Sequence, residues 1–150
     1  MNFKIAIIYA SVTGNTKSLV DLLTSCFRTY SVSLQIYTAW EFTVERLADF
    51  DAVIIATYTW GSGSIPKEMH KIFKGFERQD VKNLITGVVG TGDSFYHNFC
   101  GAVDAFRDML FVHSTLAATL KIELSPQSKD CSRCIKFAES IIGRLQLEVI

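Results

Sequence analysis

Apolar runs alternate with amphipathic segments along the chain, and this alternation sets the first expectations. Lys4 to Tyr9 (KIAIIY) is an unbroken, partly β-branched apolar run, the pattern of a strand buried on both faces. From Thr16 to Thr29 the spacing turns helical through Leu19, Leu22, Leu23 and Cys26. Ser31 to Thr38 alternates polar and apolar, as a strand with one less buried face does. Ala52 to Ala56 predicts a central strand. Pro66 stands where a helix begins, with Met69, Ile72, Phe73 and Phe76 on one face. Leu84 to Gly90 predicts a further strand. Phe99 to Leu110 predicts a helix that turns Ala102, Val103, Phe106 and Leu110 inward. Thr119 to Leu124 reads as a fifth strand, ended by Pro126, and Asp130 to Leu147 as the last helix.

Five strands alternating with helices through short connections predict an α/β fold. Its centre is a doubly wound five-stranded parallel sheet with helices on both faces. No repeat or linker divides the chain, so residues 1–150 are expected to form one domain. Open sheets of this kind take ligands at the carboxyl ends of their strands, where the strand order reverses. The loops after strands one, three and four therefore matter most.

Composition narrows the classes. Hydrophobic residues make up 49% of 150, enough for a substantial core. No apolar run approaches the roughly 20 residues that span a bilayer. Phe3 to Tyr9 is too short for a secretion signal and has no cleavage pattern behind it, so a cytoplasmic protein without membrane contact is expected. Fifteen basic and fifteen acidic side chains cancel, and the total gives no polyanion-binding surface, hence no nucleic-acid partner. Cys26, Cys100, Cys131 and Cys134 are thiols by default in that compartment. Cys131 and Cys134 form a CxxC, but no second CxxC or nearby histidine completes a zinc site, and two helix thiols without a role are expected. His70 and His113 stand alone. Lys67, Lys71 and Lys74 with His70 form a basic helix face, ordinarily a solvated one.

Three loops hold the candidate chemistry. After strand one comes Ser11-Val12-Thr13-Gly14-Asn15-Thr16, four hydroxyl or amide side chains around one glycine at a helix start. Such a loop aims backbone N–H groups and hydroxyls at an anion, helped by the helix terminus. It has neither P-loop nor GxGxxG spacing, and an ordinary capped turn would use the same residues. After strand three comes Thr57-Tyr58-Thr59-Trp60-Gly61-Ser62-Gly63-Ser64, where Trp60 offers a platform for a flat ring or packs on a neighbouring helix. After strand four comes Gly90-Thr91-Gly92-Asp93-Ser94-Phe95-Tyr96-His97-Asn98-Phe99-Cys100. There Tyr96 is either a second platform or an exposed turn residue. Together the loops suit a ligand with a phosphate at one end and a heterocycle at the other.

The segments SVTGNT, TYTWGSGSIP and GTGDSFYHNFCGAVDAF resemble the phosphate loop and the two ring-binding loops of flavodoxins. TLKIELSP resembles the uninterrupted fifth strand of the short-chain subgroup. Flavodoxins are themselves the usual illustration of a ligand at a switch point. The resemblance covers essentially the whole chain. It implies strand order 2-1-3-4-5, a non-covalently bound FMN, and one-electron transfer between a reductase-type donor and an acceptor enzyme, by a monomer without substrate turnover.

By that resemblance, Ser11, Val12, Thr13, Gly14, Asn15 and Thr16 hold the FMN phosphate. Tyr58, Thr59, Trp60, Gly61 and Ser62 border the ribityl chain and ring, with Trp60 on the inner face and Tyr96 on the outer. The peptide after Gly61 reorients on reduction. Thr91, Gly92, Asp93, Phe99 and Cys100 approach the pyrimidine edge, with Asn98 counted among the cofactor-binding residues and Cys100 acting through its backbone.

Flavodoxins are usually acidic, and this chain is neutral. Ser62, Ser64, His97 and Asn98 stand where acidic or aromatic side chains are common. Fewer carboxylates near the flavin oppose its anionic form less, so a less negative potential for the final electron is expected. A histidine at 97 beside the ring makes that potential vary with pH near ~6.5. Two rival readings are a flavodoxin-like activator of ribonucleotide reductase and an FMN-less interaction module. The full-length ring loops and the intact phosphate loop speak against them. A phospho-receiver needs an acidic pair after strand one, where Ala10 and Ser11 stand.

Overall fold

The computed structural model describes residues 2–96 and 98–148. Five parallel strands form one sheet in the order β2-β1-β3-β4-β5. They are β1 (Phe3–Tyr9), β2 (Val32–Thr38), β3 (Ala52–Tyr58), β4 (Ile85–Gly92) and β5 (Thr115–Glu123). The helices are α1 (Asn15–Phe27), α2 (His70–Arg78), α3 (Gly101–His113) and α4 (Cys131–Glu148).

Strand periodicity splits the core in two. Ile5 and Ile7 of β1 point to the face carrying α1 and α4, where Leu19, Leu23, Phe27, Phe137 and Ile141 cover them. Ala6 and Ile8 point to the opposite face, closed by α2, α3 and a 3-10 turn at Val44–Asp49. A strand with both faces covered needs an unbroken apolar run, which is why β1 and β3 carry no alternation. β2 lies at an edge, half-buried, and its alternation follows from that position.

Two elements differ from the sequence expectation. β5 starts at Thr115, four residues earlier than the pattern suggested. Its first four residues, TLAA, are half-buried and the next, Thr119, is exposed on the second edge, with a register shift against β4 between Thr86 and Gly87. The connection from β2 to β3 contains the 3-10 turn in place of a helix, and its six residues are too few to show periodicity. Gly75 of α2 lets the two elements touch, since a Cβ there would lie 2.7 Å from Val44 Cβ. Among the described residues no helix is long and apolar enough to cross a membrane.

The chain leaves β1 for one side of the sheet and β3 for the other. The order therefore reverses between these neighbours, and a crevice opens at their carboxyl ends. The loops after β1, β3 and β4 meet there.

Candidate functional site

The first loop ends on Gly14, whose φ of 92° places it in the left-handed region at the N-cap of α1. A side chain is strained there, so glycine shapes the entry to the helix. The amides of residues 12–16 donate to no other described residue, while the next ones turn inward: Lys17 N–H to Ser11 Oγ (3.3 Å) and Ser18 N–H to Gly14 O (2.9 Å). Val12, Thr13 and Gly14 are exposed, and Ser11 and Asn15 half-buried. Thr16 is buried, and its hydroxyl meets that of Thr91 at 2.8 Å, tying the first loop to β4. Lys17, the nearest cation in sequence, is paired with Asp21 at 2.5 Å.

The second loop is a tight turn. Trp60 and Ser64 exchange backbone hydrogen bonds at 2.8 Å each way, with Gly61 (φ 56°) and Gly63 (φ 128°) inside. The third loop grips it from above. Asn98 Nδ2 donates to Ser62 O at 2.7 Å, and the Ala102 amide donates to Thr59 Oγ1 at 3.2 Å. The Tyr58 hydroxyl donates to the Glu68 carboxylate at 2.9–3.0 Å. Burial first, then Glu68, pushes the Tyr58 hydroxyl up to about 12.

The third loop turns on Asp93, whose carboxylate accepts from the Phe95 amide (2.9 Å) and whose carbonyl accepts from Tyr96 (3.0 Å). Leu124 N–H donates to Gly92 O at 2.7 Å. Cys100 caps α3 in a left-handed conformation (φ 53°) that a non-glycine residue seldom adopts. Its thiol is buried near the carbonyls of Gly90 and Ile122, and burial pushes it up to about 11. The side chain is therefore protonated at neutral pH and faces away from solvent.

These loops line adjoining cavities. One, of about 240 Å³, is walled by Thr59, Gly61, Gly92, Asp93, Tyr96, Asn98 and Cys100, all candidates from the sequence. A second, of about 310 Å³, joins Ser11, Val12 and Gly14 to Lys17, Trp40 and Glu68. A third, about 910 Å³, is lined by Tyr58 and Trp60 with Ile65, Lys67, Glu68 and His70. Trp60 and Tyr96 remain 64% and 61% exposed, and neither pairs with another aromatic ring among the described residues. Ser62 is exposed, and Phe99 packs against the core beneath α3. His97 lies outside the described residues.

Three features escaped the sequence. Glu68 touches two of the cavities and fixes Tyr58, but it belongs to no motif. Trp40 follows β2, and the rule that points to the carboxyl ends of strands applies to that loop as well. Phe95, 92% exposed beside Tyr96, was hidden among polar turn residues. At the CxxC, Cys134 is buried, its thiol pushed up to about 12 by burial, and Cys131 is exposed. Among the described residues no cluster of ligating side chains could hold a metal.

Loop amides 12–16, unpaired among the described residues, and a glycine-rich, aromatic-edged cleft thus share one end of a 2-1-3-4-5 sheet. A flavodoxin family model matches residues 7–137. A Bacillus subtilis protein described as probable flavodoxin 1 is 32% identical over 143 residues, spanning 93% of this chain and 90% of that one. The solved flavodoxin of Streptococcus pneumonia TIGR4 superposes with a TM-score of 0.89 at 30% identity, covering 94% of this chain and 99% of its own. Oxidised flavodoxin 2 from Bacillus cereus gives 0.88 at 33%, with the same coverage. Sequence match and fold agree over nearly the full length, and the chain belongs to the flavodoxin family.

Proposed function

We propose that this chain binds one FMN at the carboxyl edge of its sheet and works as a low-potential one-electron carrier between a reductase and acceptor enzymes. Family membership supports the cofactor and the carrier role. The observation that carries the reading at the level of residues is the seven-residue cavity, which joins both ring loops beside an anion cradle.

The residues present fit the group. Amides 12–16 and the hydroxyls of Ser11 and Thr13 would receive the phosphate with neutral hydrogen bonds, and the start of α1 adds favourable partial charge. Trp60 and Tyr96 would cover the ring, because an exposed indole and phenol gain most from an offset stack on a large π surface. Backbone groups at Gly61, Gly92 and Cys100 would border its polar edge. When bound, FMN accepts and returns electrons singly. The protein keeps the turn at 60–64 in place through Asn98 and Thr59, while the peptide after Gly61 has neither its carbonyl nor the Ser62 amide hydrogen-bonded among the described residues and can rotate. Among the described residues Asp93 is the one carboxylate lining the ring cavity and Glu68 lines the neighbouring Trp60 cavity, while Ser62 next to Gly61 is neutral; the neutral Ser62 supports a less negative potential for the final electron. We read the protein as a cytoplasmic unit over its whole length, with no substrate of its own. The comparisons favour neither the ribonucleotide-reductase activator nor the FMN-less module.

Titration of the flavin-free protein with FMN tests this. The expected result is one equivalent bound, quenched flavin emission and a yellow protein. Unchanged emission with excess FMN overturns the reading.

A further inference from the structure

Beside the cofactor edge runs an open groove of about 860 Å³, between α2 and the 3-10 turn at Val44–Asp49. Lys67, His70, Lys71, Lys74 and Arg78 line one wall. They recur at helical spacing, so they form one stripe, while Met69, Ile72 and Phe76 turn into the core. Trp40, 73% exposed, stands on the opposite rim with Glu45, the groove's one carboxylate. None of the four Lys and Arg side chains in the stripe is paired with a carboxylate among the described residues. Of the other cations, Lys17, Arg46, Arg107, Lys121, Arg133 and Arg144 are paired, while Lys4, Arg28, Lys82, Lys129 and Lys136 are unpaired among the described residues but do not gather along one groove. The wall is also firm: Gly75 seats α2 directly on Val44, and Gln79 Nε2 donates to Val44 O at 2.8 Å. The groove is continuous with the cofactor edge, since Lys67 and His70 also line the Trp60 cavity and Trp40 also lines the phosphate-loop cavity.

We propose that this groove docks an acidic one-electron carrier protein, whose carboxylates seat along Lys67, Lys71, Lys74 and Arg78 while Trp40 anchors the rim. The purpose of docking rests on the electron-carrier reading above; the surface itself does not. Unpaired cations keep their full field for a partner, and an exposed tryptophan at the edge of a charged stripe is the composition of an interface anchor. Nucleic acid fits less well. Four cations fall short of the roughly 6–10 phosphate contacts of strong binders, and Glu45, Glu68, Glu77 and Asp80 lie on or beside the stripe in sequence. Electron transfer in the docked pair would break no bond: the reduced carrier protein would lose one electron and FMN held at the cofactor edge would gain it.

The test uses an acidic plant-type [2Fe–2S] ferredoxin as probe, basic cytochrome c as counter-probe and a short DNA duplex as competitor. Binding is followed by amide chemical shifts in the FMN-loaded protein, and by the same shifts in the flavin-free protein. The expected result is that ferredoxin shifts Trp40, Lys71 and Lys74, and that its Kd weakens at least about tenfold from ~20 to ~200 mM salt. It should weaken at least about tenfold again in the double variant K71E/K74E, while FMN affinity stays within about twofold and cytochrome c binds no more weakly. Absent ferredoxin binding, or binding unchanged in K71E/K74E, overturns the proposal. So does a DNA duplex that binds more tightly than ferredoxin at equal salt. If the chain does not take FMN, the carrier reading fails, and the shifts in the flavin-free protein still decide the docking surface.

Discussion

Replacing Gly101 with alanine should loosen the cofactor edge even though it improves a helix. Gly101 is the first residue of α3 and its φ lies outside the left-handed region, so helix propensity alone favours alanine, by up to about 1 kcal/mol. The obstacle is steric. A Cβ there would lie 2.7 Å from both Cα and the carbonyl oxygen of Gly63, and 3.1 Å from its carbonyl carbon. Carbon atoms settle at about 3.5 Å or more, so the turn at 60–64 or the start of α3 must move by roughly 0.8 Å. The obstructing atoms are backbone and cannot rotate aside. The Trp60–Ser64 pair and the Asn98–Ser62 bond also hold them in place. Overpacking of this kind costs about 1–3 kcal/mol; net of a helix gain of up to about 1 kcal/mol, about 0–2 kcal/mol of destabilisation remains. For 150 residues that lowers Tm by up to about 8 °C. FMN affinity should fall about tenfold or more, because 1.4 kcal/mol of lost fit is enough for that factor. Gly143→Ala is the control: it lies within α4 with no atom within 4 Å of a notional Cβ, so it should gain about 0.5–1 kcal/mol and leave FMN binding alone. Thermal melts and flavin-emission titrations of both variants decide the matter. A G101A protein with unchanged Tm and unchanged FMN affinity would refute the claim that these two loops are wedged together.

Other perturbations follow from single contacts. Thr16→Val strands the Thr91 hydroxyl in a buried site and should cost about 1–3 kcal/mol by urea unfolding. Thr16→Val with Thr91→Val should cost less than the two single changes summed, and strict additivity would show that the pair is not coupled. Tyr58 holds its proton to about 12 when folded, against 10.0 ordinarily. Its contribution is therefore whole below about pH 10 and is lost as pH climbs toward 12. Tyr58→Phe should flatten that limb of the urea midpoint, leaving the slope due to Cys100 and Cys134; an unaltered slope rejects the assignment. In the native protein a thiol reagent should label Cys131 at once and Cys26 slowly, and reach Cys100 and Cys134 only after unfolding. Fast labelling of Cys134 would contradict its burial.

The interior strands were legible because burial on both faces leaves a contiguous apolar signature, as in Ile5–Ile8 and Ala52–Ala56. Edges are harder to read. The first half of β5 is four half-buried residues and the exposed Thr119, with no in–out alternation, and a register shift interrupts its pairing, so its period does not announce it. The 3-10 turn is shorter than two helical periods. At the site, glycine and aromatic residues concentrate in three loops and make them visible. Glu68 does not stand out, because a carboxylate near a helix start is common, and only folding brings it beneath Tyr58. The left-handed Cys100 has no sequence signal at all, since any residue at a helix cap can be held there by its surroundings. Seven of the eighteen candidate residues meet in one cavity because the sheet places β3 beside β4, a relation that no local pattern contains.

Net charge illustrates the same separation between sum and arrangement. Fifteen positive and fifteen negative groups cancel in total, yet pairing is uneven. Asp21, Asp49, Asp104, Asp108, Asp130 and Glu148 are each within ion-pair distance of a cation on α1, the 3-10 turn, α3, β5 or α4, and none pairs with the stripe on α2. At about 0.15 M salt the field decays within ~8 Å, so an approaching protein senses those local groups and not the sum. Partner choice by a neutral flavodoxin then depends on where its unpaired cations sit. Moving Lys71 and Lys74 to exposed positions on α4 by paired exchange keeps net charge and isoelectric point constant. If docking follows the arrangement, the exchanged protein should lose much of its preference for the acidic ferredoxin, though less than K71E/K74E, which adds repulsion, whereas a preference set by total charge would survive the exchange intact.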